Sequence, residues 1–232
     1  MDTPETTADI PAAREAILER LAAAAKQGGR TAGDVTLVAV SKKQPDDRIE
    51  AMLATGQRVF GENRVQEAES RWSERRAAFR DLELRLVGPL QTNKADDACA
   101  LFDVIETLDR DKLAKALVRA MKKTGRRPRL YVQVDTGDEA QKAGVPVAES
   151  VDFVERCRAE HGLEIEGLMC IPPVDEPASL HFALLAKLAE RCGVERLSMG
   201  MSADYELAAR MGATSVRVGS SLFGARPAPP QG

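Results

Sequence analysis

The sequence has no uncharged apolar run approaching the ~18 residues of a membrane span, and its opening, MDTPETTADI, is acidic where a secretory signal is basic and then apolar. Both absences lead to the expectation of a cytoplasmic protein with no membrane partner. Excess charge is missing too: 33 basic side chains face 36 acidic ones, a net charge of -3. Such a balance provides no electrostatic reason to seek nucleic acid or an anionic surface, so a small molecule is the expected ligand. The four cysteines, Cys99, Cys157, Cys170 and Cys192, form no C-x-x-C pair and have no histidine nearby, so reduced, buried thiols are expected rather than a metal site. Only His161 and His181 are present, both expected near helices away from the loop face, which argues against a histidine triad or metal centre. Gly56 and Gly61 have P-loop spacing, but Glu62 and Asn63 follow where Lys and Ser/Thr are required. A nucleotide P-loop is excluded.

What is present is a 44% hydrophobic share over 232 residues, enough for one sizeable core. Residues 9–27 carry Ile10, Ala13, Ile17, Leu18 and Leu21 at helical spacing and stop at Gly28-Gly29, predicting an amphipathic N-terminal helix. VTLVAV (35–40) then reads as a parallel strand covered on both faces. Strand and helix alternate thereafter, with strands over 58–60, 84–88, 103–108, 129–135, 163–171, 196–200 and 215–219. Helices are predicted over 45–55, 64–79, 92–100, 111–123, 147–160, 178–192 and 203–211. Eight such strands fit a closed (β/α)8 TIM barrel of the α/β class better than an open doubly wound sheet. The expected organisation is a flexible N-terminus (1–8), one barrel domain (9–226) and a disordered tail (227–232) within the Pro-rich end RPAPPQG. The basic cluster MKKTGRRPR (121–129) falls at a helix C-terminus, where cations complement the macrodipole.

In a barrel of this kind the chemistry sits at the C-terminal strand ends. After the first strand comes VAVSKKQP, where Lys42 or Lys43 leaves an apolar strand; desolvation lowers a lysine's pKa toward the nucleophilic amine, as a Schiff-base lysine needs. Strand alternation allows one of the two to face the barrel mouth and does not choose between them. After the last strand comes Gly219-Ser220-Ser221, and after the seventh Ser198, Gly200 and Ser202, in the two loops that commonly hold phosphate. Arg217, inside SVRVG, needs an acceptor within the barrel: an inward carboxylate such as Glu62 or Glu106, or a ligand ring nitrogen.

A strand-one lysine, a strand-eight phosphate loop and an arginine between them describe a pyridoxal phosphate site. Through these strand-end motifs, from about Val35 to Arg226, the sequence resembles the YggS/PROSC family of pyridoxal phosphate homeostasis proteins. The resemblance implies a single-domain barrel of the fold-type III kind, like the N-terminal domain of alanine racemase. It implies pyridoxal 5′-phosphate linked to Lys42 rather than Lys43. It also implies that Asn63 lines the ring, that Arg217 faces the pyridine nitrogen, and that Ser198, Gly219 and Ser220 hold the phosphate. Met199 and Ser202 complete the expected pocket.

An arginine at the ring nitrogen disfavours its protonation and weakens the electron sink that carbanion chemistry requires. Storage or delivery of the cofactor to apo-enzymes is therefore expected rather than turnover, with weak racemase or transaminase activity as the alternative; separately, a monomer is expected. Tyr131 and Tyr205 are the only tyrosines, and neither matches the racemase base. The chain departs from the family at Leu84-Arg85, where a Trp-His pair is frequent, and at Gln44, where a second lysine is usual. Lys142 matches another family lysine and is an alternative acceptor.

Overall fold

The computed structural model describes residues 9–138 and 143–225. Lys142, the segment expected to be a flexible N-terminus and the expected disordered tail lie outside the described residues. Helix α1 (Ile10–Gln27) starts where Asp9 accepts a hydrogen bond from the Ala12 amide at 3.1 Å. Its apolar face, including Ile17 and Leu21, packs on α8. The helix ends at Gly28, where a Cβ would lie 2.6 Å from the Arg210 carbonyl; only glycine lets the two segments come this close.

The remaining elements alternate as expected: β1 (Thr36–Val40), α2 (Asp46–Ala54), β2 (Val59–Glu62), α3 (Val65–Ala78), β3 (Glu83–Leu86), α4 (Ala95–Leu101), β4 (Val104–Leu108), α5 (Asp111–Thr124) and β5 (Arg129–Asp135). Then follow β6 (Val145–Pro146), α6 (Ser150–Ala159), β7 (Ile165–Met169), α7 (Ala178–Cys192), β8 (Arg196–Ser198), α8 (Tyr205–Arg210), β9 (Ser215–Val218) and α9 (Ser220–Phe223). All pairings between them are parallel, and β9 returns to β1 through Val38 opposite Arg217. The barrel closes in the order β1-β2-β3-β4-β5-β7-β8-β9. The described residues therefore hold nine strands, one more than expected. The extra one, β6, is a two-residue rung on the end of β5, too short to leave a periodic pattern, and lies outside the barrel wall.

Two apolar clusters follow from strand alternation. The larger fills the layer between strands and helices. A small one, Val104, Tyr131 and Met169, lies apart from it within the barrel. Burial pushes the Tyr131 hydroxyl up to about 12, although neighbouring Arg85 pulls the other way. The interior also holds Arg85, Glu106, Ser198 and Arg217, all buried. Charges survive there only because each has a partner, as described below. All four cysteines are free and buried, and burial pushes the thiols of Cys157 and Cys170 up to about 12. No helix among the described residues is long and apolar enough to cross a membrane.

Candidate functional site

The C-terminal ends of β1, β2, β3, β7, β8 and β9 enclose a cavity of about 340 Å³. Its polar lining is Lys42, Gln44, Asn63, Ser202, Arg217, Gly219 and Ser220; Val40, Val87, Ile171, Met201 and Ala203 complete the wall. Six of the eight expected site residues are thus brought together.

Lys42 sits on a short loop after β1 whose shape is enforced from below. The Ser41 hydroxyl donates to Glu62 Oε1 at 2.7 Å, and Arg71 from α3 donates to the carbonyls of Ser41 and Gln44 at 3.1 and 3.0 Å. Arg71 also reaches Glu62 Oε1 at 3.1 Å, as does the Trp72 indole N-H. Both ends of the two-lysine segment are therefore gripped by one guanidinium. Between them Lys43 adopts a left-handed φ of 57° and is exposed, while Lys42 is half-buried and lines the cavity. Geometry, independently of any resemblance, puts Lys42 and not Lys43 at the mouth.

On the opposite side, the Gly219 amide donates to Ser202 Oγ at 3.4 Å, and the Ser220 and Ser202 hydroxyls lie 3.4 Å apart. Gly219 also passes close to β1, since a Cβ there would lie 3.3 Å from the Val40 carbonyl. Arg217 approaches the cavity from within the barrel, 5% exposed. Of the two carboxylates considered for it, Glu106 is the neighbour, at 4.0 Å; Glu62 is engaged by Ser41, Arg71 and Trp72.

Ser198 and Met199 do not line the cavity. Ser198 ends β8 pointing into the barrel, its hydroxyl taken up by Glu106 and Arg217 at 2.6 Å each. Met199, the next residue, faces the opposite way and is wholly buried in the outer core. Ile171 and Met201 do line it, and strand-end position was the signal that could have found them. His181 also departs from expectation. It lies in the first turn of α7, with Nδ1 3.1 Å from the Thr136 carbonyl at the end of β5. Helices of a βα barrel start at the loop face, so a first-turn residue sits near the mouth.

Asn63 is held by backbone contact. A Cβ at Gly88 would lie 2.4 Å from the Asn63 carbonyl oxygen and 2.7 Å from its Cα. Gly88→Ala must displace that loop, an overpacking cost of about 1–3 kcal/mol. If Asn63 contacts the ligand, titration of the variant should show affinity weakened by roughly tenfold; wild-type affinity would remove Asn63 from the site.

The cavity thus presents an amine at its rim, a buried guanidinium, and hydroxyl and amide donors across the mouth. That set suits a small carbonyl compound with an anionic tail. Comparison with known proteins points the same way. Residues 15–227 match the family of the alanine racemase N-terminal domain. The pyridoxal phosphate homeostasis protein of Vibrio alginolyticus is 38% identical over 85% of this chain and 89% of its own length. That of Pseudomonas aeruginosa is 37% identical over 90% and 93%. Among solved structures, PipY of Synechococcus elongatus with pyridoxal phosphate bound superposes with a TM-score of 0.76 at 38% identity, covering 90% of this chain and all of that one. Alanine racemase from Acinetobacter baumannii, 18% identical with a TM-score of 0.69, shares the fold over 94% of this chain and 62% of its own. The chain belongs to the alanine racemase N-terminal domain family, on the branch of the pyridoxal phosphate homeostasis proteins.

Proposed function

We propose that this protein binds pyridoxal 5′-phosphate in the β1–β9 mouth and serves its homeostasis, storing the cofactor or delivering it to apo-enzymes. The observation that carries this reading is the convergence of Lys42, Arg217 and the Gly219–Ser220–Ser202 donors on one cavity of about 340 Å³, a volume within the range of small-molecule sites. The names of the relatives and the bound ligand of PipY support it. When bound, the cofactor supplies an aldehyde that condenses with a lysine amine.

On this reading Lys42 supplies the amine, and Asn63 lies along the ring. Arg217 faces the ring nitrogen and, carrying a fixed positive charge, keeps it unprotonated. Gly219 and Ser220 donate to the phosphate through amide and hydroxyl groups, with Ser202 bracing them. Ser198 acts from behind Arg217, and Met199 packs beneath the loop. Storage rather than turnover is supported by the tyrosines: Tyr131 is buried inside the barrel and Tyr205 within α8, so neither supplies a base to the cavity. A monomer is supported by the surface, where Ile171, Val174, Leu180 and Met201 are the exposed large hydrophobics among the described residues. The test is an absorbance spectrum of the purified protein with and without added pyridoxal phosphate. A visible band that borohydride abolishes is expected; a protein that stays colourless at saturation overturns the reading.

A further inference from the structure

Arg217 is the end of a buried row of alternating charge that crosses the barrel. Its Nη1 donates to Ser198 Oγ at 2.6 Å and its Nη2 to the Cys170 carbonyl at 2.8 Å. The Ser198 hydroxyl donates in turn to Glu106 Oε2 at 2.6 Å. The other oxygen of Glu106 accepts from Arg85 Nη1 at 3.0 Å, and Arg85 Nε donates to Glu83 at 2.6 Å. Glu106 and Ser198 are wholly buried, and Arg85 and Arg217 are 4% and 5% exposed. The ionisable groups facing Arg217 are Glu106 from β4 and the Cys170 thiol after β7, with Arg85 of β3 beyond the carboxylate and the Lys42 amine across the shared cavity.

The arrangement is specific in one respect. Glu106 and Arg217 are 4.0 Å apart, close enough to attract strongly in a dry interior, yet they are joined through a hydroxyl instead of a direct two-pronged pair. Ser198 can fill this place because a hydroxyl both donates and accepts. Arg85 satisfies the far side of Glu106 and reduces the pull of that carboxylate on Arg217. A guanidinium drawn fully onto Glu106 would turn its fork away from the cavity and spend its charge inside the barrel.

We infer that Ser198 and Glu106 are positioning residues, the hydroxyl acting as a spacer that keeps the Arg217 guanidinium presented to the cavity. This inference rests on the reading that Arg217 faces the cofactor's ring nitrogen, and its test separates the two. Wild type, Ser198→Ala, Ser198→Thr and Arg217→Gln are loaded with pyridoxal phosphate, and the visible band is followed against pH, with a thermal melt confirming each fold.

Wild type should show a band insensitive to pH. In Ser198→Ala the guanidinium closes on Glu106, the ring nitrogen becomes free to take a proton, and the band acquires a titration; affinity falls by about tenfold, the scale of one hydrogen bond to a charged group. Ser198→Thr keeps the hydroxyl and should restore the wild-type profile. Should Ser198→Ala not fold, Ser198→Cys, which keeps a weaker donor, should give an intermediate profile. A wild-type profile in Ser198→Ala, with Arg217→Gln altered, overturns the spacer role alone. A wild-type profile in Arg217→Gln overturns the placement of Arg217 at the ring nitrogen.

Discussion

Lys42→Ala protein, saturated with pyridoxal phosphate and reduced with borohydride, is expected to carry no covalent label above background, where the native chain carries it on the peptide containing residue 42. Lys42 alone of the adjacent pair lines the cavity, and the left-handed turn at Lys43 leaves that neighbour exposed. Lys43 cannot take over without undoing a loop held at both ends by Arg71. Lys43→Ala should therefore label normally. The Gly219, Ser220 and Ser202 donors across the cavity persist in Lys42→Ala, so weak reversible binding should remain, detectable by equilibrium dialysis. Undiminished labelling of Lys42→Ala, found on any other lysine, would remove the proposed attachment point.

Glu62→Ala should strongly destabilise the fold beneath the site. Its carboxylate is wholly buried and accepts from Ser41, Arg71 and Trp72 at 2.7 to 3.1 Å. Truncation leaves the largely buried Arg71 with only the exposed Asp46 as an ionic partner, at 3.6 Å. Removing one member of a buried pair costs about 3–5 kcal/mol, and the Asp46 contact places this case at the lower end, about 3 kcal/mol. The urea midpoint should fall accordingly, and capture of the cofactor by the folded fraction should slow as the loop bearing Lys42 loosens. A midpoint equal to wild type would show that this cluster is not what holds the loop.

The legible parts of the fold are those in which local pattern and tertiary environment agree. RLYVQVD is β5 to the residue, and the helix over 178–192 is α7 to the residue, because continuous burial and helical periodicity mark them without help from distant partners. Disagreement begins where a strand's extent depends on partners far away in the chain. The second strand runs to Glu62 rather than stopping at Phe60, because the carboxylate meets Ser41 and α3, contacts no local window reveals. Ser198 shows the same limit in the site. Its position at a strand end suggested a phosphate contact, but the direction of its side chain turns the hydroxyl onto Glu106 and Arg217.

The amino-acid pattern alone establishes that eight short strand-like runs alternate with amphipathic helices. It therefore determined that polar segments such as SKKQP, FGEN and GSS end those strands at one face of a barrel. That information is local, carried by periodicity and burial. Periodicity left open which lysine enters the mouth, a choice made from the sequence only through the family resemblance, and it left open which carboxylate neighbours Arg217 and gave no sign that Ser198 stands between them; packing in three dimensions settles each. Those outcomes depend on closure of β9 onto β1 and on the packing of α3 beneath the first loop. Side chains far apart in the chain become neighbours in a dry interior there, where each charge must find its partner.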